Sequence, residues 1–302
     1  MRQTLRFHRV PQVDLQRPML DLAVDIGSSL KEFGFVVVTG HGIRPSFLDN
    51  MEHASRKLFA LSEPTKKKYE TVYNGRKTGY TSFGVERAKD ADVSDLKEFW
   101  HVMREGNKVP RNLFPLEVPE FEKAALEFFK ACEDCAAKLL GIIGLYLGFE
   151  PKHLESMAER GNSTLRALHY PPLKGGEKGL RAGAHADINF ITLLLPPSDA
   201  GLEILRPKGE WMPVIYPTGG LIVNAGDMLE SYTKFRKKEG IRSTQHRVAN
   251  GPPGGPPSPK SRYSFPFFVH PRADVVVGER NGKPFTAAEF LEERLKENGV
   301  KA

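Results

Sequence analysis

Cysteine and long apolar runs are scarce in this chain, and both scarcities exclude classes of protein. Only two of the 302 residues are cysteine, Cys132 and Cys135, so a secreted disulfide framework is excluded. Zinc would need two further ligands, and none lies close in sequence. The pair stands in a stretch with helical spacing of apolar residues, so we expect buried helix packing. The longest apolar stretch, around 139–149, is far shorter than the roughly 20 residues of a spanning helix.

Charge of one sign is also not concentrated anywhere. The net charge is +7, but the basic runs Lys66–Lys68 and Arg236–Lys238 are short, and we interpret both as solvated surfaces. A basic surface attracts a phosphate backbone, which keeps a nucleic-acid substrate as an alternative. No stacking motif of aromatic and basic residues supports it, so nucleic acid is disfavoured. The first fifteen residues show no signal pattern, so we expect a cytoplasmic protein with no membrane partner. Nothing in the sequence indicates an oligomeric state.

Two imidazoles and one carboxylate form a candidate metal site. His185 and Asp187 stand in the strand-like run AHADINFITLLL, where residues two apart point the same way and can hold one ion. His246 follows 59 residues after Asp187 in the β-prone segment STQHRV, which a closed two-sheet barrel could bring alongside. Iron(II) accepts this ligand set and keeps open positions for a co-substrate and dioxygen.

A second motif, Arg262-x-Ser264, lies in the strand-like segment SRYSFPFFVHP. Both side chains share a face, where Arg262 offers a bidentate fork to a carboxylate and Ser264 adds a hydroxyl. Taken singly, the His185-x-Asp187 pair is explained by chance or core hydrogen bonding, and Arg262 by an exposed strand. The two motifs in this order favour a functional site.

In these motifs the sequence resembles the iron(II)/2-oxoglutarate-dependent dioxygenases, in the branch of isopenicillin N synthase. The similarity covers most of the chain and includes the segments EFGFVVVTGHGI, LFALSEPTKKKY, DLKEFWHV, RALHYPP, GLEILRPKGEWMPV and LIVNAGDMLESYT. The resemblance implies that His185, Asp187 and His246 hold iron(II), and that Arg262 and Ser264 hold the distal carboxylate of 2-oxoglutarate.

The resemblance also implies that Tyr170 contacts 2-oxoglutarate. Such an enzyme couples decarboxylation of 2-oxoglutarate to succinate, with dioxygen, to hydroxylation, desaturation or cyclisation of a small organic substrate. Three departures stand out: Leu168 replaces the usual Asn, the Pro/Gly loop Gly251–Lys260 is longer, and Lys234–Gly240 looks inserted. Two alternatives stay open, an oxidase of this family that dispenses with 2-oxoglutarate and a non-enzymatic ligand-binding protein on the same scaffold. Succinate formation discriminates the first from the main interpretation.

Substrate contacts are predicted from position only. Tyr80, Phe83 and Arg87 belong to a segment that covers the site in relatives. Arg181 could bind an acidic substrate, with a water-facing strand-edge arginine as the alternative. Two further candidates follow the proposed iron ligands directly, Asn189 and Phe190; ordinary packing or exposure is the alternative for each of them.

The fold class predicted is mainly β with flanking helices around a double-stranded β-helix, or jelly-roll, core. We divide the chain into an N-terminal helix and strand region (1–115), a helical layer (116–160), the catalytic core (161–275) and a C-terminal helix (276–302). Helices are expected at Asp21–Phe35, Pro45–Ala60, Pro119–Leu147 and from Thr286, and a strand at Val36–Thr39. Thr286 with Glu289 forms a capping box, and Phe285 with Phe290 a hydrophobic staple.

Overall fold

Two facing β-sheets with helices on one outer side form the described part of the chain. The computed structural model describes residues 9–71, 78–88, 92–104, 111–150, 152–237, 240–252 and 254–297. The facing sheets confirm the predicted jelly-roll core with flanking helices. Among these residues, no helix combines the length and the apolar character needed to cross a membrane.

The helices lie mostly before the catalytic core, and the longest packs against the first two. Their bounds are α1 Met19–Phe33, α2 Pro45–Ala60, α3 Glu63–Lys67, α4 Glu120–Tyr146, α5 Lys152–Ala158, α6 Asp227–Lys237 and α7 Ala287–Glu297.

The larger sheet has nine strands. In spatial order they are β1 Gln12–Asp14, β2 Phe35–Thr39, β10 Leu221–Ala225, β7 Ile191–Leu194, β13 Phe267–Val269, β5 Thr164–Tyr170, β4 Glu98–Met103 and β3 Gly79–Thr81, with β12 Arg262–Ser264 also paired to β5.

The smaller sheet has four strands and carries two of the predicted iron ligands. Its order is β6 Ala182–His185, β11 His246–Val248, β8 Leu202–Leu205 and β9 Trp211–Pro213; a separate hairpin is formed by β14 Val276–Arg280 and β15 Lys283–Thr286.

The two faces of β5 have different surroundings because side chains alternate along a strand. Leu165 and Ala167 are buried in the main core, which also contains apolar residues of α4. Leu168 and Tyr170 lie on the opposite face, in a small apolar cluster with Val248 of the smaller sheet. The inner face of the larger sheet therefore looks towards the strands that carry His185 and His246.

Local sequence signals explain where two of the helices begin or end. Helix α1 ends at Phe33 because Gly34 adopts a left-handed backbone (φ 72°) and donates its N–H to the Leu30 carbonyl. A Cβ on Gly34 would lie 2.4 Å from the hydroxyl of Thr244, so glycine is required there. The capping box before α7 is confirmed: the Thr286 N–H donates to Glu289 (2.8 Å) and the Glu289 N–H donates back to Thr286 (3.3 Å).

Two predictions about surface and packing have opposite outcomes. Cys132 and Cys135 are free, buried thiols in α4, as expected. The interpretation of Lys66 as solvated is wrong: its side chain is 7% exposed and its ammonium lies 2.7 Å from Glu98. The buried carboxylate of Glu98 compensates the positive charge of the Lys66 ammonium, which without this partner would remain exposed to water.

Candidate metal centre

Three side chains from two strands and one loop converge at the open side of the inner face. His185 is the last residue of β6 and is directly opposite His246, the first residue of β11. Asp187 lies two residues beyond the end of β6. The expectation that His185 and Asp187 share one continuous strand is wrong, since the chain bends between β6 and β7. The bend brings the carboxylate to both imidazoles.

The distances suit a shared ion. Asp187 Oδ1 lies 4.0 Å from His185 Nε2 and 3.8 Å from His246 Nε2. One ligand atom from each residue lies within 4.8 Å of the others. Asp187 and His246 are buried, whereas the side chain of His185 is 34% exposed, so the site opens towards solvent on the His185 side.

Backbone carbonyls fix which nitrogen of each imidazole faces the centre. His185 Nδ1 lies 2.8 Å from the Gly183 carbonyl, and His246 Nδ1 lies 3.2 Å from the Thr244 carbonyl. A carbonyl oxygen only accepts, so each Nδ1 carries the proton. Both Nε2 lone pairs are therefore free to bind a cation.

Asp187 is held by donors on two other strands. Its Oδ2 accepts hydrogen bonds from the Thr192 hydroxyl (2.6 Å) and from the Asn224 amide (2.7 Å). These bonds leave Oδ1 directed at the imidazoles. The loop is also tied to α6, whose first two N–H groups, at Asp227 and Met228, donate to the carbonyls of residues 187 and 188.

The site favours a neutral imidazole and an ionised carboxylate. Burial lowers the pKa of His185 to about 4, and the neighbouring His246 acts in the same direction. Burial alone would raise the pKa of Asp187; the two imidazoles and the bonds from Thr192 and Asn224 outweigh it and hold this pKa below its usual value. Both protonation states are those a metal needs.

A buried cationic pocket lies at one end of the same inner face. Arg262 pairs with Tyr170 across β12 and β5, and its guanidinium lies 4.9 Å from that ring. Ser264, two residues along, is also buried. The Arg262 Nε donates to the Asp199 carbonyl (3.0 Å), whereas Nη1 is buried with no hydrogen-bond partner. Burial lowers the pKa of Arg262, which still stays a cation.

Family models match both halves of the chain. Residues 10–121 match the N-terminal domain of the non-haem dioxygenase in morphine synthesis, and residues 161–271 match the 2OG-Fe(II) oxygenase superfamily. The 2-oxoglutarate-Fe(II) type oxidoreductase hxnY of Emericella nidulans is 31% identical over 273 residues, which cover 84% of this chain and 75% of that protein. The chain belongs to the 2OG-Fe(II) oxygenase superfamily.

Solved structures and a further sequence relative agree with this membership. A 2OG-Fe(II) oxygenase family protein of Caulobacter crescentus is 36% identical, with a TM-score of 0.83 over 95% of this chain and 98% of that one. A full-length Neurospora crassa protein, solved in complex with alpha-KG, is 25% identical, with a TM-score of 0.83 over 95% of each chain. A homoarginine-6-hydroxylase of Arabidopsis thaliana is 28% identical over 90% of this chain and 87% of that protein. The prediction of a 2-oxoglutarate-dependent dioxygenase that uses iron(II) is confirmed.

Three of the six suggested substrate contacts of this oxygenase are buried residues with packing or supporting roles. Tyr80 is fully buried in the main core beside Trp100 and donates to Glu98, so it is a packing residue. Phe190 is likewise buried in the main core. Asn189 is buried and donates to the Thr192 hydroxyl (3.0 Å), so it supports the residue that holds Asp187.

The remaining three candidates are two exposed residues and one buried arginine. Phe83 and Arg87 are exposed in the segment before β4. The water-facing alternative for Arg181 is wrong: this arginine is fully buried and donates to Asp199 Oδ2 (3.2 Å) and to the Lys260 carbonyl (2.8 Å).

Sequence reasoning missed residues that hold Asp187 and charged residues elsewhere on the same inner face. Three of them share one signal, a polar or charged residue between two apolar ones in a strand: Arg166, Thr192 and Asn224. Lys97 lacked this signal, because Glu98 follows it directly. Glu86 was also missed, next to the suggested Arg87, and it carried no comparable signal.

Proposed function

We propose that His185, Asp187 and His246 hold iron(II), and that Arg262 and Ser264 hold the distal carboxylate of 2-oxoglutarate. The assignment of the 2-oxoglutarate site rests on Nη1 of Arg262, which is buried and has no hydrogen-bond partner. Such a donor destabilises the folded protein by about 1–3 kcal/mol. A carboxylate there would accept that bond.

The charge balance of the pocket supports the same assignment. Arg181 and Arg262 are both buried; the Asp199 carboxylate accepts a hydrogen bond from Arg181, and its charge also acts on Arg262. Two guanidinium groups against one carboxylate leave one positive charge. The distal carboxylate of 2-oxoglutarate would neutralise it, and Tyr170, against the Arg262 guanidinium, would pack on the co-substrate.

The residues around the centre supply orientation and exclusion of water. Bound iron(II) with 2-oxoglutarate supplies dioxygen activation, which couples decarboxylation to succinate to oxidation of a C–H bond. Thr192 and Asn224 keep Asp187 aimed at the metal. The apolar cluster that includes Phe99, Leu168 and Val248 would keep water from the co-substrate. We propose hydroxylation of a small molecule, supported by the similarity to the homoarginine-6-hydroxylase.

The test is an anaerobic titration of the apoprotein with iron(II) and then 2-oxoglutarate, following the weak visible charge-transfer band of the chelated keto acid. We expect the band in the wild type and none in Asp187→Ala. Arg262→Gln should weaken 2-oxoglutarate binding by about 2–5 kcal/mol, at least about thirtyfold, without loss of iron. Arg56→Gln is the matched control, since Arg56 is paired with Glu52 and stacked on Tyr263 away from the inner face.

Iron binding without the band would contradict the 2-oxoglutarate assignment and favour the oxidase alternative. Unchanged 2-oxoglutarate affinity in Arg262→Gln would contradict the role of that residue.

Three finer statements belong to the same proposal. The match of the N-terminal family model supports the isopenicillin N synthase-like branch. The two matched ranges support the division of the chain into regions that end at residues 115, 160 and 275. A cytoplasmic location is supported by the free thiols of Cys132 and Cys135. Cell fractionation would test the cytoplasmic location. Limited proteolysis would test the division of the chain into these regions.

A further inference from the structure

A second charged cluster occupies the inner face of the larger sheet and is used neither by the metal nor by the 2-oxoglutarate pocket. Arg166 stands at its centre, on β5, with Glu86 and Lys97 close by. Its other members are Asp95 and His101. Charged groups are costly to bury, so their concentration at this place calls for a function.

Arg166 lies on the same face of the sheet as the 2-oxoglutarate pocket, but towards the opposite end of strand β5. It precedes Tyr170 by four residues on β5, a separation of roughly 13 Å on the same face. Its guanidinium lies 5.4 Å from the ring of Phe268. Phe268 is paired across the sheet with Thr192, which donates to Asp187. Arg166 therefore lies beside the strand pair that supports the metal ligand Asp187.

The guanidinium is held rigidly and keeps donors to spare. Its Nε donates to His101 Nε2 (2.6 Å), and Nη1 and Nη2 donate to the two carboxylate oxygens of Glu86 (3.0 and 3.2 Å). It also stacks on Phe99 at 4.1 Å. Three of five N–H groups are engaged, which leaves two for a ligand. The Arg166 side chain is 16% exposed and Glu86 is 31% exposed, so the pair can be reached from solvent.

The net charge of the cluster distinguishes it from the 2-oxoglutarate pocket. His101 accepts a bond at Nε2, so that nitrogen is unprotonated and the imidazole is neutral. Among the described members of the cluster, Arg166 and Lys97 then balance Glu86 and Asp95, so these four charges sum to zero. A carboxylate bound at Arg166 would leave one negative charge without a partner. A carboxylate bound beside Arg262 instead neutralises the excess positive charge of that pocket. An uncharged oxygen acceptor fits the spare donors without this cost.

We propose that Arg166 anchors the prime substrate, and that the group it binds is an uncharged carbonyl oxygen of a small molecule. This inference rests on the proposed function, since it assumes that the reacting carbon faces iron held by His185, Asp187 and His246. Glu86 is a positioning residue that keeps the guanidinium flat against Phe99 and cancels its charge.

A buried chain of hydrogen bonds fixes this anchor relative to the metal. Lys97 Nζ lies 2.7 Å from Glu86 and 2.8 Å from Asp95. Asp95 accepts from the Gly183 N–H (2.8 Å), and the Gly183 carbonyl accepts from His185 Nδ1 (2.8 Å). A substrate bound at Arg166 is thus held by the same network that orients an iron ligand.

The experiment compares matched probes on the full chain loaded anaerobically with iron(II) and 2-oxoglutarate. The pairs are nicotinamide with nicotinate, benzamide with benzoate, and 2-pyridone with pyridine. We expect the carbonyl member of each pair to bind more tightly by calorimetry and to perturb the charge-transfer band. Arg166→Gln should weaken carbonyl probes by about tenfold to a hundredfold, while Arg56→Gln should leave them unchanged.

Two further variants keep the test decisive. Arg166→Gln combined with Glu86→Gln removes both charges, so it guards against misfolding caused by a lone carboxylate and should still lose carbonyl binding. Glu86→Gln alone leaves the cluster with a net positive charge, so the preference should reverse in favour of the carboxylate probes.

The inference would be overturned if no carbonyl probe bound at millimolar concentration, if carboxylates bound the wild type as tightly, or if Arg166→Gln bound the probes normally. Because calorimetry detects probe binding without the band, a missing band would contradict the proposed function alone.

Discussion

The hydroxyl of Thr192 should control iron affinity without touching the metal. Thr192→Val keeps the shape of the side chain and removes one of the two donors to Asp187 Oδ2. The Asp187 side chain is only 6% exposed, so water is poorly placed to replace the lost bond. Loss of an outer hydrogen bond of this kind weakens metal binding by about 10–100-fold, or about 1.4–2.7 kcal/mol.

The assay is an anaerobic competition titration of apoprotein with iron(II) and a chelating dye. Thr233→Val is the matched control, because Thr233 is also a buried threonine whose hydroxyl is hydrogen-bonded, to helix carbonyls of α6. We expect Thr233→Val to lower the melting temperature without changing iron affinity. Adding Asn224→Leu to Thr192→Val should weaken iron binding further. Iron affinity in Thr192→Val within about twofold of the wild type would refute the role of these bonds.

Three further changes test the fold. A Cβ in Gly161→Ala would lie 2.0 Å from the His270 carbonyl oxygen, so we expect a loss of about 1–3 kcal/mol in urea unfolding, with the neighbouring Asn162→Ala near neutral; equal effects would contradict the clash. Thr286→Ala should cost about 1 kcal/mol in the same assay through the lost capping box with Glu289, and an unchanged midpoint would argue against it. Burial lowers the pKa of His270 from 6.5 to about 4, so the folded apoprotein excludes a proton that the unfolded chain binds. Melting temperature should therefore fall as pH drops from about 6.5 towards 4, less steeply in His270→Gln; parallel curves would count against this assignment.

Local patterns in the sequence predict single elements better than the contacts between them. The bounds of α2 agree with Pro45–Ala60 as expected, and the capping box before α7 formed as predicted, because both depend on neighbouring residues. Lys66 was misjudged because its partner Glu98 lies 32 residues away, on β4. A basic run in a sequence does not show which of its members will find a buried carboxylate.

The metal centre shows the same limit. The residue types of His185, Asp187 and His246 indicated an ion, and their convergence follows the predicted barrel. The bend that places Asp187 beyond β6 was not visible, since strand-like residues continue through it. Thr192 and Asn224 were missed because their role depends on the order of strands in the sheet, which alternation along one strand does not reveal.

The attachment of α6 to the metal loop has a consequence for how this chain can diverge. The helix donates hydrogen bonds to the loop from its first N–H groups, at Asp227 and Met228, while the extra residues noted in the sequence, 234–240, begin near its other end. Length can therefore change at the C-terminal end of α6 without moving the carbonyls beside Asp187. Evolution can vary the outside of the protein there while the geometry of the centre is inherited intact.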